Sequence, residues 1–287
     1  LRFVIRIITN IKEMQLFASR CKTEKKAIGL VPTMGYLHQG HISLVKKSKN
    51  FAEYTVVSVF VNPTQFGPNE DFNQYPRDIE RDKKLLADAG ADILFLPDAK
   101  DIYPEGFQTY VEVEKISKIL EGATRPIHFK GVTTIVSILF NCVKPEYAFF
   151  GQKDAQQVAV LKQMVKDLKM DIDIIACPLV READGLALSS RNTYLEGDQR
   201  KDALVLYKSL QLGKELVEKG ERKAAVITGK MKELIATVSY SELDYIQIVD
   251  TETFQLRDEL KEGVEYYILI ACRIGKPRLI DNIIVKA

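Results

Sequence analysis

Residues 54–61, YTVVSVFV, are apolar at almost every position. A strand with one wet face alternates polar and apolar side chains, so a continuous run of this length belongs to a strand buried between two helical layers. Further short apolar runs stand at 27–31, 93–96, 147–150 and 172–178, with amphipathic segments between them. Strand, helix, strand is the βαβ unit. Its repetition predicts an α/β fold, a Rossmann-like and mostly parallel sheet with helices on both faces.

The local punctuation agrees. Asn10, with Glu13 three residues later, is a capping-box signature that opens a helix through about residue 20. A second helix carries Ile42, Leu44 and Val45, and a third covers 78–89 and stops at Gly90. A long apolar helix is expected over 132–142, and another over Val158, Leu161 and Met164. Residues 107–113 read as a further strand and 116–120 as a short helix ended by Gly122. Beyond about Glu182 the pattern changes to helices at 198–219 and 222–238, then antiparallel strands at 245–249, 266–274 and 278–285. A chain of 287 residues is at the size where one core divides. Two domains are therefore expected: a Rossmann-like catalytic domain over 1–181 and a smaller α+β lid domain over 182–287.

Chemistry-bearing residues collect in the loops. The first apolar run passes through Pro32, Thr33 and Met34 to Gly35, then delivers His38, Gly40 and His41 at the start of the second helix. A helix N-terminus offers unpaired N–H groups and the positive end of the macrodipole, which suits an anion. The i,i+3 spacing lets the two imidazoles share one face. Solvent-facing loop histidines are the alternative reading, and a zinc pair fits less well because no Cys or acidic residue stands at ligand spacing. Two of the chain's three histidines sit here.

The next strand ends in Asn62, Pro63, Thr64 and Gln65, either a simple turn or an amide-rich pocket at a strand carboxyl end, where open parallel sheets bind ligands. Tyr75, Pro76 and Arg77 form another polar loop. Arg125, His128 and Lys130 precede the long apolar helix, as a solvated basic turn or as part of the same pocket. Gly151, Gln152, Lys153 and Asp154 follow a buried strand; Lys153 can neutralise a phosphate, and Asp154 can cap a helix or accept from ribose hydroxyls. Residues 181–192, READGLALSSRN, are a donor-rich loop suited to polyphosphate.

Bulk properties narrow the partners. Lys+Arg 41 against Asp+Glu 39 leaves a net charge of +2, which argues against a nucleic-acid surface. No apolar run approaches the ~18 residues of a membrane span. Cys21, Cys142, Cys177 and Cys272 form no CxxC and read as reduced core residues. Segment 1–11 is interrupted by Arg2 and Arg6 and carries no small-residue cleavage site, so no signal peptide is expected and the location is taken as cytoplasmic.

Taken in order, PTMG with HxGH at residues 32–41, NPTQF at 62–66, YPR at 75–77, RPxHFxG at 125–131, GQKDxQQ at 151–157 and LSSRN at 188–192 resemble the pantothenate synthetase family of pantoate–β-alanine ligases. HxGH alone would say only a Rossmann-like nucleotidyl-transferring domain. The resemblance implies a two-step ligase. Pantoate attacks the ATP α-phosphate to give pantoyl adenylate and pyrophosphate, and β-alanine then displaces AMP. It assigns His38, His41, Lys153, Ser189 and Arg191 to catalysis on the phosphates. Pro32, Thr33, Met34, Gly40 and Gly151 would also contact ATP, with Asp154 on the ribose and Val180, Leu188 and Ser190 completing the nucleotide site. Gln65 and Gln157 would hold pantoate, with Asn62, Tyr75 and Arg125 lining or supporting that pocket. Asp82 matches an acidic position near magnesium. The resemblance also implies a homodimer.

Gln39 replaces a commoner Glu and Leu188 a commoner Met; neither alters the reaction class, since Leu keeps most of the volume. A related nucleotidyltransferase acting on a phosphorylated substrate should present cations where this chain has Asn62, Gln65 and Gln157. A non-catalytic nucleotide-binding protein should lack some of the phosphate-gripping residues, and all are present.

Overall fold

A computed structural model describes residues 5–68 and 70–287. Arg2, cited above in the N-terminal segment, lies outside the described residues. The chain divides into two compact units, one running to Gly151 and resuming at Gln156–Pro178, the other comprising Gln152–Ala155 and Leu179–Ala287.

The first unit contains β1 (Arg6–Ile8), α1 (Ile11–Thr23), β2 (Ile28–Thr33), α2 (Gln39–Ser48), β3 (Tyr54–Val59), α3 (Ile79–Asp88) and β4 (Ile93–Phe95). Short α4 (Ala99–Ile102) and α5 (Glu121–Thr124) precede α6 (His128–Val143), β5 (Tyr147–Gly151), α7 (Ala155–Asp167) and β6 (Asp173–Cys177). The strands pair in parallel in the order β1-β4-β3-β2-β5-β6. From β2 the chain winds outward through β3 to β4, then crosses to β5 and β6 on the other side. The switch point between β2 and β5 is where doubly wound sheets bind their ligands, outside the strand carboxyl ends.

Burial explains the apolar strands. Leu30, Val56, Phe95 and Phe150 pack on one face of the sheet with residues of α1, α6 and α7. Their chain neighbours Val31, Val57, Leu94 and Phe149 pack on the other with Leu44, Val45 and Leu86. Successive strand residues point to opposite faces, so a sheet covered twice needs an apolar residue at every position.

The second unit holds α8 (Gln199–Asp202), α9 (Leu204–Glu218), α10 (Ala224–Ile235), β7 (Ser241–Asp250), β8 (Glu265–Ile274) and β9 (Arg278–Lys286). Its strands form an antiparallel β7-β8-β9 sheet whose inner face, including Ile246, Ile268 and Ile270, packs with Leu210, Ile227 and Met231 of the helices. The fold is thus Rossmann-like α/β with a smaller α+β unit.

Several sequence expectations need correction. Residues 107–113 are not a strand, because their backbone bonds to helix side chains instead of a ladder: Val111 N–H donates to Thr134 Oγ1 at 3.0 Å and its carbonyl accepts from Thr133 Oγ1 at 2.6 Å. Residues 116–120 are a turn. The carbonyls of Ile116 and Ile119 accept from Gln156 Nε2 at 2.8 and 2.7 Å, and Gln156 Oε1 accepts the Glu121 N–H. Helix begins only at Glu121, so Gly122 lies inside it. The long apolar helix starts at His128, and β1 is an added edge strand too short to announce itself.

Candidate active site

At the carboxyl end of β2 the chain turns sharply under local control. Thr33 Oγ1 donates to the Ser58 carbonyl at 2.9 Å and accepts the Gly35 N–H at 3.2 Å. Gly35 has φ +83°, and a Cβ there would stand 2.9 Å from Val59 Cγ1 and 3.2 Å from Asp82 Oδ2. Asp82, only 1% exposed, reaches from α3 to accept the N–H groups of Tyr36 at 2.7 Å and Leu37 at 2.8 Å. Burial pushes its carboxyl up, opposed by those two bonds.

The turn delivers His38 as the N-cap of α2. Its Nδ1 accepts the Gly40 N–H at 3.2 Å, and Nδ1 of His41 accepts the His38 N–H at 3.2 Å. Two imidazoles thus form the reciprocal capping box usually built from Ser or Thr with Glu. Each Nδ1 must present a lone pair, so the neutral ring carries its proton on Nε2. The ring centroids are 4.0 Å apart with planes at 39°, meeting the expectation that they share a face. The result is a pair of N–H-bearing rings fixed at a helix N-terminus, an arrangement for an anion that needs no formal charge on either histidine.

The amide-rich loop beyond β3 sorts into supporting and available groups. Asn62, 1% exposed, donates to Gln65 Oε1 at 3.1 Å and the Gly131 carbonyl at 3.0 Å, and its Oδ1 accepts from Tyr103 at 2.8 Å and Thr64 Oγ1 at 3.0 Å. It supports the loop and has no amide hydrogen to spare. Gln65 is buried, with Nε2 3.0 Å from Met34 Sδ. Gln157 is half-buried, and its amide makes no hydrogen bond among the described residues. Tyr75 is buried with its ring 6.0 Å from that of Phe66.

Arg125 is occupied by groups that sequence reasoning did not pair with it. Its Nε donates to Glu70 Oε1 at 2.8 Å, Nη2 to Glu70 Oε2 at 2.5 Å, and Nη1 lies 3.3 Å from His128 Nε2. Nδ1 of His128 is 3.1 Å from the Gln65 carbonyl. Arginine only donates and a carbonyl only accepts, so His128 is held as the neutral Nδ1–H tautomer. Burial, reinforced by Arg125, pushes its pKa down to about 4.

In the second unit, residues 181–192 form a hairpin. Arg181 bridges Ala187, and Leu188 N–H donates to the Val180 carbonyl at 3.0 Å. Ser189 caps the 3-10 turn Ser190–Tyr194 by accepting the Arg191 N–H at 3.3 Å. Gln152–Asp154 is another 3-10 turn, with Lys153 Nζ 3.3 Å from Asp154 Oδ1. Asp154 makes no capping bond to a backbone N–H among the described residues, and its half-exposed carboxylate is turned to Lys153 instead. Sequence reasoning missed Asp281 and Asn282 of β9, which hold both segments; no local motif marks them.

A doubly wound parallel sheet with paired histidines at the helix following its switch-point strand defines the Rossmann-like nucleotide-binding class. The sequence signature of the pantoate-beta-alanine ligase family matches residues 6–284. The chain is 53% identical over 280 residues to the pantothenate synthetase of Caldicellulosiruptor saccharolyticus, covering 98% of this chain and 99% of that one. The Acetivibrio thermocellus pantothenate synthetase is 52% identical, covering 98% and 100%. Among solved structures, pantothenate synthetase from Thermus thermophilus is 43% identical with a TM-score of 0.91, covering 97% and 99%. The ligase from Francisella tularensis, complexed with beta-gamma ATP and beta-alanine, is 38% identical with a TM-score of 0.78, covering 97% of each chain. The chain belongs to the pantoate–β-alanine ligase family.

Proposed function

We infer that this enzyme joins pantoate to β-alanine in two ATP-dependent steps, and the full-length relation to pantothenate synthetases carries that reading. In the first step a pantoate carboxylate oxygen bonds to the α-phosphorus, the bond to the bridging oxygen breaks, and its electron pair leaves with pyrophosphate. In the second the β-alanine nitrogen bonds to the acyl carbon, AMP leaves with the C–O electron pair, and the amine proton passes to solvent. Pantoate is already a nucleophile as carboxylate, so the first step needs positioning and positive potential rather than a general base.

The proposed roles follow from donor chemistry. Nε2–H of His38 and of His41 donates to phosphate oxygens, and Lys153, Ser189, Ser190 and Arg191 supply further donors and charge. Asp154 accepts from the ribose hydroxyls. Pro32, Thr33, Met34, Gly40, Gly151, Val180 and Leu188 contribute the remaining nucleotide contacts. Gln65 and Gln157 read the pantoate hydroxyl and carboxylate, while Asn62, Tyr75 and Arg125 shape that pocket.

Magnesium does not fit a site built by protein alone. Both Asp82 oxygens already accept backbone N–H groups, and no cluster of three His, Cys, Asp or Glu that could hold a metal occurs among the described residues. Magnesium ordinarily keeps several waters and binds through substrate phosphates, so it is proposed to arrive with ATP. A homodimer and a cytoplasmic location complete the reading; buried, unpaired Cys21, Cys142, Cys177 and Cys272 suit a reducing compartment.

The test is pyrophosphate release by purified protein with ATP, magnesium and pantoate but no β-alanine. Pantoate-dependent pyrophosphate, with amide and AMP appearing only when the amine is added, is the expected result. Pyrophosphate release without pantoate dependence would leave a different nucleotidyl transfer.

A further inference from the structure

Adjacent residues on β9 hold two segments that lie far apart in the chain. Asn282, 2% exposed, donates both amide hydrogens to backbone carbonyls, Gln152 at 2.9 Å and Lys153 at 3.0 Å, while its Oδ1 accepts from Gln152 Nε2 at 3.2 Å. Asp281, 3% exposed, accepts both arms of Arg181, at 2.7 and 2.9 Å. Arg181 also donates to the Asn282 carbonyl at 3.1 Å and the Gly185 carbonyl at 3.0 Å, and its guanidinium lies 4.4 Å from the Tyr207 ring centroid. Arg181 opens the hairpin that ends in Ser189, Ser190 and Arg191. Every hydrogen-bonding group of the Asn282 amide is thus spent on the Lys153 turn, and both Asp281 oxygens reach the hairpin base, Oδ1 also accepting the Asn282 N–H at 2.7 Å. A side chain that only filled space in this sheet would be apolar, since buried amides and carboxylates are costly unless fully paired.

We propose that Asp281 and Asn282 are positioning residues for adenylation, a common mount that sets the Lys153 turn and the Ser189–Arg191 loop in register for the phosphates. The proposal rests on the reading that Lys153 and Arg191 grip phosphate. The mount lies more than a hundred residues along the chain from Lys153, so the contact is made by the fold and not by local sequence.

Asn282 is the residue to test, because breaking the buried Arg181–Asp281 pair would leave an unpaired charge and endanger folding. Two half-reactions are measured separately: pantoate-dependent exchange of pyrophosphate into ATP, and amide formation from supplied pantoyl adenylate and β-alanine. Asn282→Ala should slow the exchange about ten- to a hundredfold, the scale of an ångström-sized misplacement, with apparent KM for ATP raised and that for pantoate unchanged. Amide formation at saturating supplied adenylate should stay within about twofold, since that step no longer needs the pyrophosphate held and saturation offsets any weakening of the Asp154–ribose contact. Equal losses in both half-reactions, or no loss in either, would overturn the mount. Gln152→Ala, which removes one bond at a half-buried position, should show the same split more weakly; if Asn282→Ala does not fold, absence of a split there overturns the proposal. Lys153→Ala separates the two ideas. An unaltered exchange rate in that variant defeats the phosphate-gripping reading itself, whereas a large loss there with none in Asn282→Ala defeats only the mount.

Discussion

Individual side chains show how much function hangs on tautomers. His38 is both N-cap and proposed phosphate donor, and the two roles use different ring nitrogens. Asparagine is among the strongest N-caps, so His38→Asn keeps an acceptor for the Gly40 N–H while deleting Nε2–H. Thermal stability should hold within a degree or two, while adenylation falls about 10²–10³-fold, the usual loss for one preorganised donor. A drop in stability with little change in rate would reverse the assignment. His128 makes the opposite case, a histidine the fold needs neutral. With a folded pKa of about 4 against 6.5 in the unfolded chain, its contribution is complete above pH 6.5. As pH falls from 6.5 toward 4 the unfolded chain binds a proton the folded one refuses, and stability is lost at up to ~1.4 kcal/mol per pH unit. Urea midpoints at pH 7 and 5 should diverge more in the parent than in His128→Gln. The histidine positions were legible in the sequence as a spacing. Their mutual capping was not, because it depends on Asp82 and Gly35 fixing the turn before them.

At the scale of elements, polar residues whose pattern suggests ligands turn out to join one element to another. Asn62 fastens the turn after β3 to α6 through the Gly131 carbonyl, and Gly131 permits the approach: a Cβ there would lie 2.5–2.6 Å from the Thr64 carbonyl and the Gln65 backbone. Gly131→Ala should destabilise by about 1–3 kcal/mol, the range for overpacking, and raise the KM for pantoate more than that for ATP. Denaturant unfolding and steady-state kinetics read the two effects, and equal KM changes would detach this turn from pantoate binding. Residues 107–113 carry strand-like alternation, yet Thr133 and Thr134 from α6 capture their backbone; Gln156 does likewise for 116–120. A helix side chain reaching across to a loop leaves no period in that loop's sequence.

For the molecule as a whole, the parallel sheet was legible because burial on two faces writes itself into every strand position, whereas the β9 contacts to the Lys153 turn and the Arg181 hairpin were not, because RLIDN reads as one more strand edge. The same two-faced burial predicts cooperativity. Cys21 and Cys142 sit in the core on one face of the parallel sheet and Cys177 in the core on the other, while Cys272 lies in the core of the second unit. Burial pushes the thiols of Cys142 and Cys272 up to about 11 and raises those of Cys21 and Cys177, so none should react with iodoacetamide in the native protein at neutral pH. Along a urea series, pulse labelling read cysteine by cysteine should give Cys142 and Cys177 one shared midpoint, since the strands between them contribute alternate residues to both cores and neither core can open while the sheet stands. Cys272 reports the core of the second unit. Distinct midpoints for Cys142 and Cys177 would mean that helices peel from one face alone, and that the sheet is held by its ladder rather than by the two layers that its sequence demands.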